Sequence, residues 1–299
     1  MTTIDPYGLR NPGPSPTTAG APGPTPARPP GRLARLAQTI LPALLLRLVL
    51  ALVLLAGGGA LLARVRAGVV TEPVPIAPGI VAEQGSGAWL YAIRLRDGVA
   101  LVDAGRDVKG RPIDAALAPL GAHRSDVTDV LLTHGHPSET VGLAAVRGAR
   151  VHAGVGDVAV ITGREHPGRG VDKLVGLMLP RTRSEVEDPI PAETALEVGG
   201  ERVLAIPVPG HSLGSVAYLI RGVLFVGDAA SIRDGRLVPG PRFMSEDPRA
   251  SERALVHLAR RVAGEDVDRV CSAHAGCSAP GAAGAMLHDA GSRSVDAGR

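Results

Sequence analysis

"THGHPSETVGL", residues 133–143, sets two histidines one residue apart just behind the apolar run Val130-Leu131-Leu132. A short run of that kind reads as a buried strand. His134 and His136 then leave the strand end together, as half of a metal site requires. The next polar positions are Ser138 and Glu139. A hydroxyl is a poor ligand for zinc, and a carboxylate oxygen is harder than an imidazole nitrogen. How this stretch is read decides whether the chain has a metal centre, and of what kind.

Four further segments repeat the pattern of a polar residue just beyond an apolar run. "LVDAG" holds Asp103, "VPGHSLGS" holds His211 behind a glycine, "LFVGDA" holds Asp228 and "CSAHAG" holds His274. Strand ends that share one edge direct such side chains into one cleft. Three neutral imidazoles with Asp228 suit zinc or iron, and a carboxylate can bridge two ions. Singly, each residue is as well explained as a surface histidine, a turn or a helix cap. The grouping carries the argument, because four of the nine histidines fall in such places. His123, His152, His166, His257 and His288 have no such setting and receive no role.

Around these segments the pattern is α/β from about residue 72. Apolar runs predict strands at 88–95, 98–103, 128–132, 150–153, 202–208, 215–220, 223–227 and 268–272. Helical spacing predicts helices at 112–120, 139–147, 155–162 and 248–263, the last with Ser251 as its cap. Hairpin-like strand pairs beside strand–helix units imply two mixed sheets between helices. Residues 163–191 break the rhythm and read as a surface insertion.

The first 66 residues differ in kind. They carry seven arginines and one aspartate, whereas the remainder has 25 basic against 28 acidic residues. The globular part is therefore mildly acidic, which argues against a nucleic-acid surface. Residues 1–35 form a Pro-rich stretch expected to be disordered. Within 36–66 lies "TILPALLLRLVLALVLLAGGGALLA", residues 39–63, with Arg47 as its one charge. About 20 apolar residues span a bilayer, so this segment is read as a single-pass anchor, with a cleaved signal peptide as its rival. Arginine counting weakly favours an extracytoplasmic domain. Residues 281–299 are expected to be a flexible tail. Cys271 and Cys277 bracket "SAHAG", and a disulfide and two buried thiols are equally open.

The order of motifs over residues 75–278 resembles that of the metallo-β-lactamase-fold hydrolases, in which a "THxHxDH" loop, a later His, an Asp and a final His bind one or two metals. The resemblance extends to "LVDAG", "GHSLGS" and the "SEDPRASERALVHLARR" helix. It implies a four-layer αββα sandwich over residues 72–280, with the site at one edge of the paired sheets. His134, His136, His211 and Asp228 match the first metal position, and Asp228 and His274 belong to the second. The family's loop Asp falls on Ser138 and its following His on Glu139. Glu139 is then the replacement ligand in a weaker, oxygen-rich second site, and Asp103 a hydrogen-bond acceptor that orders the loops.

These expectations combine into a membrane-anchored, metal-dependent hydrolase of small molecules, with one tight zinc and a second weak or absent. Asp228 and Glu139 are the catalytic carboxylates. Thioesters, lactones, phosphodiesters and β-lactams are not ranked. Two alternatives stand beside this reading: a mononuclear iron oxygenase using His134, His211 and Asp228, and a binding or sensor domain whose site has decayed.

Overall fold

The computed structural model describes residues 72–85, 87–166 and 183–294. The expected tail 1–35, the apolar segment 39–63 and the middle of the 163–191 insertion lie outside the described residues. Among the described residues no helix is long and apolar enough to cross a membrane.

Seven strands form the first sheet in sequential order: β1 (Val74–Ala77), β2 (Ile80–Gly85), β3 (Ala88–Arg94), β4 (Val99–Val102), β5 (Val127–Leu131), β6 (Arg150–Gly154) and β7 (Asp188–Ile190). β1 to β4 pair antiparallel and β4 to β7 parallel. The second sheet uses β8 (Thr194–Val198), β9 (Glu201–Pro207), β10 (Val216–Ile220) and β11 (Val223–Gly227). A separate hairpin, β12 (Ala230–Arg233) and β13 (Arg236–Pro239), follows β11. β14 (Arg269–Ser272) and β15 (Gly276–Cys277) complete the second sheet, whose order is β15-β14-β11-β10-β9-β8. The helices are α1 (Arg111–Leu117), α2 (Pro137–Thr140), α3 (Val158–Ile161), α4 (Pro248–Arg261) and α5 (Ala283–Ser292).

The central strands are apolar throughout because both of their faces are covered. Tyr91, Ile93, Val102 and Leu131 of the first sheet meet Ala205, Tyr218, Phe225 and Cys271 of the second in an inter-sheet core. The alternate residues Leu90, Leu101 and Val130 pack outward against Ile113 and Leu117 of α1. Leu204, Ile206, Leu219 and Val226 do the same against Leu255 and Leu258 of α4 and Met286 and Leu287 of α5. Helix, sheet, sheet, helix is the four-layer order that the motifs implied.

Where the structure departs from the sequence reading, the cause is local. The eight expected strands form, but β1, β2, β7, β8, β12, β13 and β15 were not expected. β1, β7 and β15 are two to four residues long, and β2 carries Glu83 and Gln84. Ser251 does not cap α4. It is buried within the helix, and Asp247 is the cap, its carboxylate accepting from the Ala250 amide. Residues 281–299 are not a flexible tail throughout. Ala283, Met286, Leu287 and Ala290 recur at helical spacing and bury α5 in the outer core. The end of the 163–191 insertion forms β7, parallel to β6.

Parallel pairing fixes where the site can lie. β4, β5 and β6 run the same way, so Asp103, His134 and the residues after Gly154 emerge at one edge. β11 and β14 run together in the second sheet, and β9 is antiparallel to β10, which is antiparallel to β11. Asp228, His274 and the His211 loop therefore also share one edge. The sheets are joined next to this edge, where Thr133 O accepts the Val216 amide (2.8 Å) and the buried Tyr218 hydroxyl donates to Leu132 O (2.9 Å). Tyr218→Phe strands that carbonyl, and the expected loss of unfolding free energy is about 1–2 kcal/mol. Denaturant titration checks it, and an unchanged midpoint would show that the bond does not tie the sheets.

Candidate metal centre

The loop after β5 turns sharply because Pro137 opens the one-turn helix α2. The His136 carbonyl there accepts the Glu139 amide (3.1 Å), the Thr140 amide (3.1 Å) and the Thr140 hydroxyl (3.0 Å). This turn holds Glu139 fully buried under the two histidines. His211 follows Gly210, whose φ of 144° is closed to most side chains. A Cβ on Gly210 would lie 2.2 Å from the Ser251 amide nitrogen, so glycine is needed for the loop to meet the start of α4.

The side chains converge as the sequence reading required. Nitrogen or oxygen ligand atoms of His134, His136, His211 and Asp228 all lie within 4.8 Å of one another, and so do those of Glu139, Asp228 and His274. His136 Nδ1 is 3.0 Å from His134 Nε2 and 3.0 Å from His211 Nε2. Asp228 Oδ2 is 3.5 Å from His211 Nε2 and 3.8 Å from His134 Nε2. A tetrahedral ion with ligands near 2.0 Å sets its ligand atoms about 3.3 Å apart, and these spacings bracket that edge. On the second side, Asp228 Oδ2 is 3.2 Å from His274 Nε2, and Glu139 Oε2 is 3.2 Å from His134 Nε2. The Ser138 hydroxyl donates to Glu139 Oε2 (2.7 Å).

Hydrogen bonds around the cluster orient the imidazoles. The Thr133 hydroxyl donates to Asp103 (2.9 Å), which leaves its oxygen free to accept His134 Nδ1–H at 3.2 Å. The Nε2 lone pair of His134 then faces the centre. His274 Nδ1 donates to Gly87 O (2.8 Å), which leaves its Nε2 3.2 Å from Asp228 Oδ2; without an ion that contact raises the His274 pKa to about 9, so an ion there would have to displace a proton. Asp103 also accepts the Thr133 amide (2.8 Å) and has φ of 60°, a left-handed conformation that costs about 1–3 kcal/mol at a non-glycine residue.

Charge explains why these groups suit a cation. Burial, and then the neighbouring imidazoles, push His134 well below its ordinary pKa; burial brings His211 to about 4. Both are neutral near pH 7, the form that binds metal. Burial, with Asp228 and Asp103 nearby, pushes the Glu139 carboxyl well above the usual range. Burial likewise carries Asp103 to about 7, against its bonds from Thr133. Burial also works against ionised Asp228, but the bond to His274 and the other histidines hold it below the usual range. Glu139 Oε1 is buried with no hydrogen-bond partner. A carboxylate so placed beside two others needs a positive charge to ionise. The residues present fit one ion at the three histidines and Asp228, and a second at Glu139, Asp228 and His274.

The sequence reading missed Asp157, the carboxylate that joins the two histidine loops. Its Oδ2 accepts the Gly135 amide (2.7 Å) and the Ser212 hydroxyl (2.7 Å), and its Oδ1 accepts the Gly214 amide (2.9 Å). A Cβ on Gly214 would lie 2.3 Å from the Asp157 amide nitrogen, so the contact depends on that glycine. The signal was present: Asp157 follows the β6 run much as Asp103 follows β4. The structure also decides between the two readings of the cysteines, since Cys271 and Cys277 face each other across β14 and β15 as a disulfide.

The family model of the metallo-β-lactamase superfamily matches residues 85–274, and the chain belongs to that superfamily. Curated relatives include hydroxyacylglutathione hydrolases of Shewanella oneidensis, 29% identical over 51% of this chain, and of Anaeromyxobacter dehalogenans, 34% identical over 48%. The chain spans about half the length of these relatives, 51% and 46% respectively. Among solved structures, a subclass B3 metallo-β-lactamase of Bradyrhizobium japonicum shares the fold with a TM-score of 0.56 at 21% identity, over 74% of this chain and 91% of its own. A second, characterised as the first B3 metallo-β-lactamase with an active-site glutamic acid, has a TM-score of 0.56 at 17% identity, over 77% and 91%. The homologues of this chain are metallo-β-lactamase-fold hydrolases.

Asp157→Ala leaves two amides and a hydroxyl without their shared acceptor. It is expected to lower unfolding free energy by about 2–3 kcal/mol and to weaken zinc binding by about 10-fold or more. Denaturant titration and zinc calorimetry measure the two effects. Unaltered zinc affinity would show that Asp157 does not position the ligands.

Proposed function

We propose that the chain is a metal-dependent hydrolase of small acyl substrates, thioesters foremost. The observation that carries this reading is the convergence of His134, His136, His211 and Asp228, with Glu139 and His274 closing a second group on the same aspartate. When bound, zinc supplies Lewis acidity and a water whose pKa falls to about 7. His134, His136 and His211 would hold the first ion as neutral imidazoles, with Asp228 a ligand common to both groups. Glu139 and Asp228 would be the catalytic carboxylates, able to orient a water and to take its proton. Asp103 and Asp157 act through the loops, keeping the imidazoles aimed.

One feature of the site favours an acyl substrate. Exposed apolar side chains stand on segments tied to the site. Leu213 lies between Ser212 and Gly214, and Phe243 and Met244 lie between Gly240, bonded to Ala229 O, and Glu246, bonded to His211 O. The curated relatives are named as hydrolases of hydroxyacylglutathione, a thioester. The apolar segment 39–63 supports a single-pass anchor, and the disulfide supports an oxidising, extracytoplasmic setting for the domain.

Full-length protein is expected to bind one zinc tightly and a second more weakly, and to hydrolyse a hydroxyacylglutathione thioester. His211→Ala removes an imidazole from a buried ligand set, and the expected fall in zinc affinity is at least about 10- to 100-fold, with turnover lost in parallel. Metal analysis with a thiol-release assay tests both. Tight zinc binding without thioester turnover would sink the substrate class, whereas iron uptake with oxygen consumption would sink the hydrolase. Reporter fusions after residue 290 test the topology, and strong activity of a cytoplasm-only reporter there would reverse it.

A further inference from the structure

The turn that presents His274 is closed by a covalent bond with no part in the proposed hydrolysis. Cys271 lies in β14, fully buried in the inter-sheet core, and Cys277 lies in β15, packed against that core. The disulfide joins facing residues of the two strands, with Cα atoms 4.0 Å apart, and encloses residues 272–276. β15 is only two residues long, and the His274 side chain is 44% exposed, so strand pairing and burial hold this turn weakly. Three bonds cross to the first sheet at the start of the turn. The Tyr91 hydroxyl donates to Ser272 O (2.9 Å), the Trp89 amide to Ala273 O (2.7 Å) and His274 Nδ1 to Gly87 O (2.8 Å). Among the crossing bonds described, none holds Ala275 or Gly276. The far end is held by the disulfide and, one residue outside the loop it closes, by the Ser278 amide on Val270 O (2.8 Å) and the Val270 amide on the Ser278 hydroxyl (3.1 Å).

We propose that Cys271 and Cys277 are positioning residues for the second ion: their disulfide holds His274 Nε2 against Asp228, so the second ion's affinity depends on the disulfide while the first ion's does not. The ligands of the first ion come from the loops after β5, β9 and β11, outside the clipped turn. The proposal rests on the two-ion reading of the site, and the experiment separates the two. Reduction with a water-soluble phosphine breaks the S–S bond to two thiols. The disulfide takes up two electrons and two protons, and the phosphine becomes its oxide with oxygen from water. Trp89, the sole tryptophan, is a reporter within the fold, since its indole lies 3.4 Å from where a Cβ on Gly276 would stand.

Zinc calorimetry on the full chain, oxidised and phosphine-reduced, and on the Cys271→Ala, Cys277→Ala double variant, tests the proposal, with Trp89 emission followed in parallel. Breaking the disulfide is expected to weaken the second ion by about 10-fold or more, leave the first unchanged and shift Trp89 emission. Reoxidation should restore the second ion in the unaltered chain and do nothing in the double variant. Two ions bound equally well before and after reduction would overturn the proposal alone. Parallel loss of both ions with a lowered melting temperature would overturn it in favour of a purely structural bond. An oxidised chain that takes up no ion would refute the metal centre, and the proposal with it. If the double variant fails to fold, the reduced unaltered chain still gives the answer.

Discussion

Asp228 Oδ2 lies 3.5 Å from His211 Nε2, 3.8 Å from His134 Nε2 and 3.2 Å from His274 Nε2. This one buried carboxylate is where the two ligand groups meet, and its position follows from parallel pairing in both sheets. It leaves the end of β11, beside the β14 end that brings His274. The first sheet brings His134 and His136 from β5 to the same edge. Reversing any of these strands would put its ligand at the far end of the sandwich.

Burying several ionisable groups beside one another is costly, and the surroundings offset that cost locally. Asp103 accepts a strained left-handed backbone so that its carboxylate can hold Thr133, and Thr133 in turn aims His134. Asp157 does comparable work between the first two loops, satisfying two amides and a hydroxyl with one carboxylate. Neither residue needs to touch an ion. Both remove alternatives: without a fixed acceptor an imidazole can flip, and without a shared anchor the loops can separate. Precision at the centre therefore depends on carboxylates one layer away.

Much of this was legible in the sequence, for an identifiable reason. The central strands are covered on both faces and so appear as plain apolar runs, and Asp103, His134, Asp228 and His274 sit just beyond one. β1, β7 and β15 were not legible because they are edge strands too short to set a period. β2 was hidden by the Glu83–Gln84 pair in its middle. The helix at 139–147 was misjudged in kind: only Pro137–Thr140 is α-helical, and Val141–Ala145 tightens into a 3₁₀ turn. Gly142 there packs so closely that a Cβ would lie 1.9 Å from Ala104 O, a long-range contact no local pattern encodes. Asp157 escaped although it follows an apolar run, because two of its three partners, Gly135 and Gly214, bind it through backbone amides that carry no side-chain signature.

The substituted loop gains its meaning from burial. At an exposed position, a glutamate in place of a histidine would simply be a weaker zinc ligand. Glu139 is fully buried, accepts the Ser138 hydroxyl through one oxygen and leaves the other without a hydrogen-bond partner. A buried carboxylate with one oxygen unsatisfied costs stability when ionised. Its place beside Asp228 makes sense when a cation supplies the missing charge. Ser138 then acts with Glu139 as one unit: its hydroxyl donates to Oε2, the carboxylate oxygen that stands 3.2 Å from His134 Nε2, and so fixes the carboxylate's orientation. With Glu139 in place of an imidazole, the loop that departs from the family pattern would give any second site a more anionic character, suited to a harder or more weakly held ion.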